Sequence, residues 1–114
     1  MATGRLGTAN LSATTDTTVY MCPTDTFSVV SISVCNRGAT TATIRIALSS
    51  SATPADADYL EYDTDLLAKG VIERTGIVMD NNQQAGSVGG KYLIVRSSLT
   101  SVSAVVMGIE TSTL

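Results

Sequence analysis

From Val30 to Cys35 the chain reads Val-Ser-Ile-Ser-Val-Cys, a strict alternation of large aliphatic and small side chains. A period of two puts Val30, Ile32 and Val34 on one side of an extended strand and Ser31, Ser33 and Cys35 on the other; on a helix the same residues would wrap all the way round. Asn36-Arg37-Gly38 supplies a turn. Residues 43–48 answer with Ile44, Ile46 and Leu48 on one face and Thr43, Arg45 and Ala47 on the other. Composition extends the argument to the whole chain: Thr, Val and Ile make up 35 of the 114 residues, and β-branched side chains suit a pleated sheet and crowd a helix. Helical bundles are excluded, and the length fits one domain over residues 1–114.

Further strands are expected at 17–22, closed by Pro23-Thr24-Asp25, and at 59–63, 70–78, 91–96 and 102–109. The expected fold is all-β: a single antiparallel β-sandwich of seven or eight strands, jelly-roll or Ig-like. With no Trp and one Phe, its core must be aliphatic, drawn mostly from Ile32, Val34, Ile44, Ile46, Val71, Leu93, Val95, Val105 and Met107. Residues 49–57, rich in Ser and Ala around Pro54, read as a surface excursion, and residues 79–90, dense in Asn, Gln and Gly, as an exposed loop of the kind that carries function. Residues 1–11 read as an extended N-terminal arm: Leu6 and Leu11 are its only large apolar side chains beyond Met1, and Gly4 and Gly7 raise the entropy lost on ordering.

Charge and residue inventory remove several function classes. A net charge of −3 with five scattered Arg lacks the basic footprint of nucleic-acid binding. The longest apolar run, about six residues, is too short for a membrane span or an export signal. Without an oxidising compartment, Cys22 and Cys35 are expected to be reduced, buried thiols. The absence of His removes the commonest general base and metal ligand and every Ser-His or Cys-His nucleophile. The chain is therefore expected to be no enzyme and to need no cofactor or metal.

Three weaker constellations resolve to structural readings. Asp56, Asp58, Glu61, Asp63 and Asp65 concentrate carboxylates but do not follow a calcium-loop pattern. On a regular strand Glu61 and Asp63 would share a face with Tyr59, with Leu60 and Tyr62 opposite. Gly86-Ser87-Val88-Gly89-Gly90-Lys91 falls one residue short of a phosphate loop and has Tyr92 where Ser or Thr is needed; its glycines suit a positive-φ turn instead. Tyr20, Tyr59, Tyr62 and Tyr92 could stack on sugars, but in a Phe-poor β domain they read first as core edges.

The run Val29-Val30-Ser31-Ile32-Ser33-Val34-Cys35-Asn36-Arg37-Gly38-Ala39-Thr40, followed by Ile44-Arg45-Ile46-Ala47-Leu48 and Asp58-Tyr59-Leu60-Glu61-Tyr62-Asp63-Thr64, resembles small virion structural proteins of tailed phages, cyanophage-type ones especially. The resemblance covers roughly residues 17–109. It implies a non-enzymatic assembly role in the virion, after assembly in the host cytoplasm. The expected role is a capsid decoration or cement protein that binds and stabilises the outer capsid surface; the alternative is a tail, baseplate or fibre component that assembles with other tail proteins or binds a host glycan. Expected partners are the major capsid protein or a neighbouring virion protein and sister copies, with a trimer favoured. The arm is the first candidate for the contact, through Arg5, Leu6 and Leu11 on a neighbour's free sheet edge. The loop residues Asn81, Asn82, Gln83 and Gln84 are the second.

Overall fold

Each period-two segment forms a strand. The computed structural model describes residues 2–81 and 89–113. Its strands are β1 (Thr3–Asn10), β2 (Thr17–Met21), β3 (Thr26–Asn36), β4 (Ala42–Ser49), β5 (Tyr59–Leu66), β6 (Val71–Asp80), β7 (Tyr92–Ser97) and β8 (Val102–Ser112), with a 3₁₀ turn at Asp56–Asp58. They make two antiparallel four-stranded sheets ordered β1-β8-β3-β6 (sheet A) and β2-β7-β4-β5 (sheet B). Strand 1 pairs with 8, 2 with 7, 3 with 6 and 4 with 5, as in one long antiparallel ribbon rolled up. That order is the jelly roll, two Greek keys wrapped into a sandwich, and it excludes the Ig-like alternative.

The core is the aliphatic layer between the sheets. Val30, Ile32, Val34, Ala104 and Val106 from sheet A meet Ile44, Ile46, Leu93 and Val95 from sheet B, all of them buried. Ala47 and Ile94 face the other way, opposite one another across β4 and β7, yet are buried too; the 3₁₀ turn lies close to β4.

Three of the expected core residues point outward. Val105 is half-buried and Met107 exposed, because β8 presents Val102, Ala104 and Val106 inward. Both faces of β8 are apolar, so its own alternation is ambiguous. Its parity is set by β3, where Ile32 pairs with Val106 and Val34 with Ala104, leaving Val105 beside Ser33 and Met107 beside Ser31. Val71 is exposed because β6 changes parity along its length. Ile72 faces Val34 at one end, a register shift opposite Val30 and Ile32 intervenes at Gly76 (φ 69°), and Ile77 and Met79 then turn inward. Strand β6 also runs on through Met79 and Asp80, which the sequence reading assigned to the loop.

The extended arm is likewise corrected. Thr3–Asn10 is an ordinary edge strand paired with β8 of the same chain. Leu11 is buried in the chain's own core and its N–H donates to the Val102 carbonyl at 2.9 Å. Leu6 and Ala9 pack against that core. Few apolar side chains are needed, because pairing with β8 satisfies the backbone. Gly7, which reads as a loosening residue, permits close packing of the two sheets: a Cβ there would lie 2.2 Å from the Val19 carbonyl oxygen of β2.

Polar side chains lock the ends and edges of the roll. Asn36 is completely buried; its Nδ2 donates to the carbonyls of Thr40 (2.8 Å) and Leu66 (3.1 Å), and its Oδ1 accepts from the Gly38 N–H (2.9 Å) and the Ser101 hydroxyl (3.2 Å). One amide thus ties three chain reversals together. At the β1/β2 edge the Tyr20 hydroxyl donates to Glu110 Oε2 at 2.7 Å, crossing between the sheets. Burial, more than this bond, pushes the Tyr20 phenol far above its ordinary value. At the β5/β6 edge Arg74 closes the gap with bonds to Glu61 Oε2 (2.8 Å from Nε) and to the Leu60 carbonyl (2.9 Å).

Cys22 and Cys35 are free thiols. Cys22 lies within 3.6 Å of the Ser28 hydroxyl, and Cys35 is seven residues further along β3 from Ser28, roughly 23 Å at the rise of an extended strand. A disulfide needs Cα atoms within about 7 Å, so this fold keeps the two apart. Burial raises the Cys22 thiol above its usual range, which makes it unreactive.

Candidate functional site

The side chains left over after the core is filled lie on the two outer faces, and the faces differ in kind. On sheet A the outward parity of β3 carries Phe27 and Val29 before it reaches Ser31 and Ser33. Register then sets apolar residues beside them. Val29 is flanked by Val78 of β6 and Ile109 of β8, and Met107 lies one pair further along β8, with Arg5 of β1 beyond it. Phe27, Val29, Val78, Met107 and Ile109 are all exposed, from 36% at Phe27 to 64% at Val78. Together they form one patch across three adjacent strands. Isolated surface hydrophobics are ordinary, whereas a contiguous group makes this face the candidate interaction surface.

On sheet B the outward residues around Arg45 are polar and paired. Arg45 of β4 and Arg96 of β7 stand directly opposite each other, an arrangement that repels. Each has a carboxylate of its own. Asp63 accepts from Arg45 at 2.7 Å (Nε) and 3.2 Å (Nη2), and Asp16 lies 3.8 Å from Arg96. The Arg45 bonds hold the Asp63 carboxyl below its ordinary range. Arg45 also lies over the ring of Tyr62, 4.1 Å from its centroid, and Tyr59 meets Tyr62 edge-on at 4.9 Å and 81°.

Two recesses adjoin this stack. One, of about 210 Å³, is bounded by Arg45, Asp63 and Arg96 and by the hydroxyl-bearing Thr14, Thr43 and Ser98. The other, of about 360 Å³, is walled by Asp56, Tyr59 and Tyr62.

This arrangement corrects the parity expected for β5. Register shifts between Ile44 and Ile46 and between Ile46 and Ala47, with Asp63 at φ 50°, set Tyr59, Tyr62 and Asp63 on the outer face and turn Glu61 toward the sheet A edge. Glu61 accepts from Thr64 (2.8 Å) and from Arg74, and these bonds lower its pKa, Thr64 the more strongly. Asp58 accepts from the Ala55 N–H at 2.8 Å and closes the 3₁₀ turn. The acidic segment is therefore spent on several separate contacts, and among the described residues no three His, Cys, Asp or Glu side chains converge as a metal site would require.

The structure scatters the contact residues expected from sequence. Of the described ones only Arg5 is exposed, beside Met107 on the sheet A face. Leu11 belongs to the chain's own core, and Leu6, half-buried, packs against it. Asn81 is buried, with its Nδ2 donating to the Cys22 carbonyl at 3.0 Å, and is a latch rather than a contact. Asn82, Gln83 and Gln84 lie outside the described residues. Gly89 takes the positive φ (69°) expected before the β7 strand. Sequence reasoning missed the sheet A patch, although carrying the β3 alternation back past Val30 to Val29 and Phe27 signals it.

No protein-family model matches the chain, and a search of curated proteins finds no match.

Proposed function

We propose that this chain is a non-enzymatic virion structural protein of a tailed phage, most simply a decoration or cement protein that binds and stabilises the outer capsid surface. The observation that carries the reading is the apolar patch around Val29 on sheet A, which a chain working alone in water would have no reason to keep. The jelly roll is a recurrent architecture of capsid domains, which supports the reading at the level of fold analogy only. Contact through a sheet face replaces contact through an arm. Arg5 at the margin of the patch gives that contact a charged rim, as interfaces between proteins commonly have. The partners are the major capsid protein or a neighbouring virion protein, together with sister copies, and no cofactor enters.

The test combines gel densitometry of virions that contain the chain with rebinding of the purified protein to particles that lack it. Hundreds of copies per particle, and rebinding abolished by Val29→Asp while the variant still melts cooperatively, support a capsid role. Tens of copies or fewer assign the chain to the tail instead. Rebinding unaffected by Val29→Asp and Met107→Asp overturns the role of this face.

A further inference from the structure

The geometry points to a second binding surface, on the opposite sheet and independent of the assembly face: we propose that the outer face of sheet B, centred on the Arg45–Tyr62 stack, binds neutral saccharide chains. The charges in the band cancel. Arg45 and Arg96 are matched by Asp63 and Asp16, so no net field draws in an anion. A quaternary ammonium ligand is disfavoured as well, because the Arg45 guanidinium over Tyr62 repels a cation stacking on that ring, against the single carboxylate of Asp56 beside it. What remains is a dense array of donors and acceptors with fixed positions, next to an aromatic wall. A sugar ring presents the complement: hydroxyls around its rim and an apolar C–H face.

The aromatic wall is held ready for a ligand. Tyr62 is 57% exposed, and its ring is held by the Arg45 guanidinium over one face and by an edge-to-face contact with Tyr59. A ring fixed before binding loses little conformational freedom when a ligand stacks on it. Asp56 supplies a carboxylate in the same recess, able to accept two sugar hydroxyls. On the other side of the stack the Arg45–Asp63 couple offers donor and acceptor side by side, the pattern that reads a vicinal diol. The recess volumes, about 210 and 360 Å³, lie at or below the small end of ligand pockets. Each holds about one ring, so the ligand is a chain of sugars lying across the face, held weakly per site. On a virion carrying many copies such weak sites add up through avidity.

The experiment is saturation-transfer NMR on the full chain with three neutral probes, cellohexaose, mannohexaose and chitohexaose, and with hexagalacturonate and inorganic phosphate as ionic probes. The expected result is transfer to at least one neutral oligosaccharide with a Kd on the order of 1 mM. Tyr62→Ala should weaken that binding about 10-fold, Tyr62→Phe should retain it, and Thr75→Ala, on sheet A, should leave it unchanged. Asp56→Asn, a change at an exposed side chain, provides a second reduced-affinity variant should Tyr62→Ala unfold. The proposal is overturned if no neutral probe shows transfer, if the signal survives both Tyr62→Ala and Asp56→Asn, or if only the uronate or phosphate binds. Particle rebinding reads the opposite sheet, so failure here leaves the assembly reading standing, and the reverse holds too.

Discussion

The two sheets are alike inside and opposite outside. Both turn branched aliphatic side chains toward the shared core, so the two inner faces are alike in chemistry. Outside, sheet A keeps its β3 and β8 alternation apolar around Val29 and Ile109, whereas sheet B ends in an Arg–Asp–Tyr band whose members satisfy one another. The two faces therefore differ in what each can bind. A polar band that is internally paired is stable in water and binds only what can share its hydrogen bonds, while an apolar patch gains free energy from any surface that covers it.

The equivalence of the inner faces is the first part of the comparison to try to break. Ile32→Ala in sheet A and Ile46→Ala in sheet B should each cost about 2–5 kcal/mol by chemical denaturation, since both side chains are fully buried. A large loss from one and almost none from the other would mean that one sheet carries the fold and the other merely docks.

Asn36→Ala ranks next. It orphans the buried carbonyl of Leu66 and the part-buried Thr40 carbonyl and Gly38 N–H, and should cost about 2–4 kcal/mol, read as a lower denaturation midpoint.

The two edges sharpen the contrast. Tyr20→Phe removes a part-buried bond to a carboxylate and should cost about 1–2 kcal/mol. Arg74→Met at the other, solvent-exposed edge should cost about 0.2–1 kcal/mol. Equal losses would show that both edges are closed to water to the same degree.

The Glu61 carboxylate adds a pH signature to the second edge. Its folded pKa is held below the ordinary value of about 4.3, so its contribution is present above that value and is lost as the pH falls through the lower, folded one. Melting temperature should therefore decline below about pH 4.3 less steeply in Glu61→Gln than in the parent.

The smallest effect concerns the outer faces themselves. Arg45→Met removes an exposed ion pair but also the repulsion from Arg96, and thermal melts should show almost no change in stability. A large drop in melting temperature would make the sheet B band a structural support and weaken its reading as a binding face.

How much of this was legible beforehand depends on whether a strand had one apolar face or two. Strands β3, β4 and β7 alternate with unequal faces, and Ile32, Val34, Ile44, Ile46, Leu93 and Val95 are buried as their spacing required. In β8 both parities are apolar, so Val105 and Met107 were misplaced until pairing with β3 chose between them. In β5 and β6 bulges shift the parity part-way along, and no single period describes such a strand. The candidate sites fared worse for a related reason: Arg45, Arg96, Asp16 and Asp63 come from four separate segments, and only strand order makes them neighbours.

An aliphatic all-β sandwich, its turn residues and nearly every strand follow from the residues alone, because these depend on local periodicity and on residues that favour or forbid extended backbone. The jelly-roll order, the place of residues 3–10 as an edge strand and the character of the two outer faces emerge only on folding. These depend on which strand lies beside which, and neighbours such as Thr3 and Ile109 or Val29 and Val78 are far apart along the chain. Their pairing is fixed by the register that buries the most apolar surface over the whole fold at once, a sum that no local window contains.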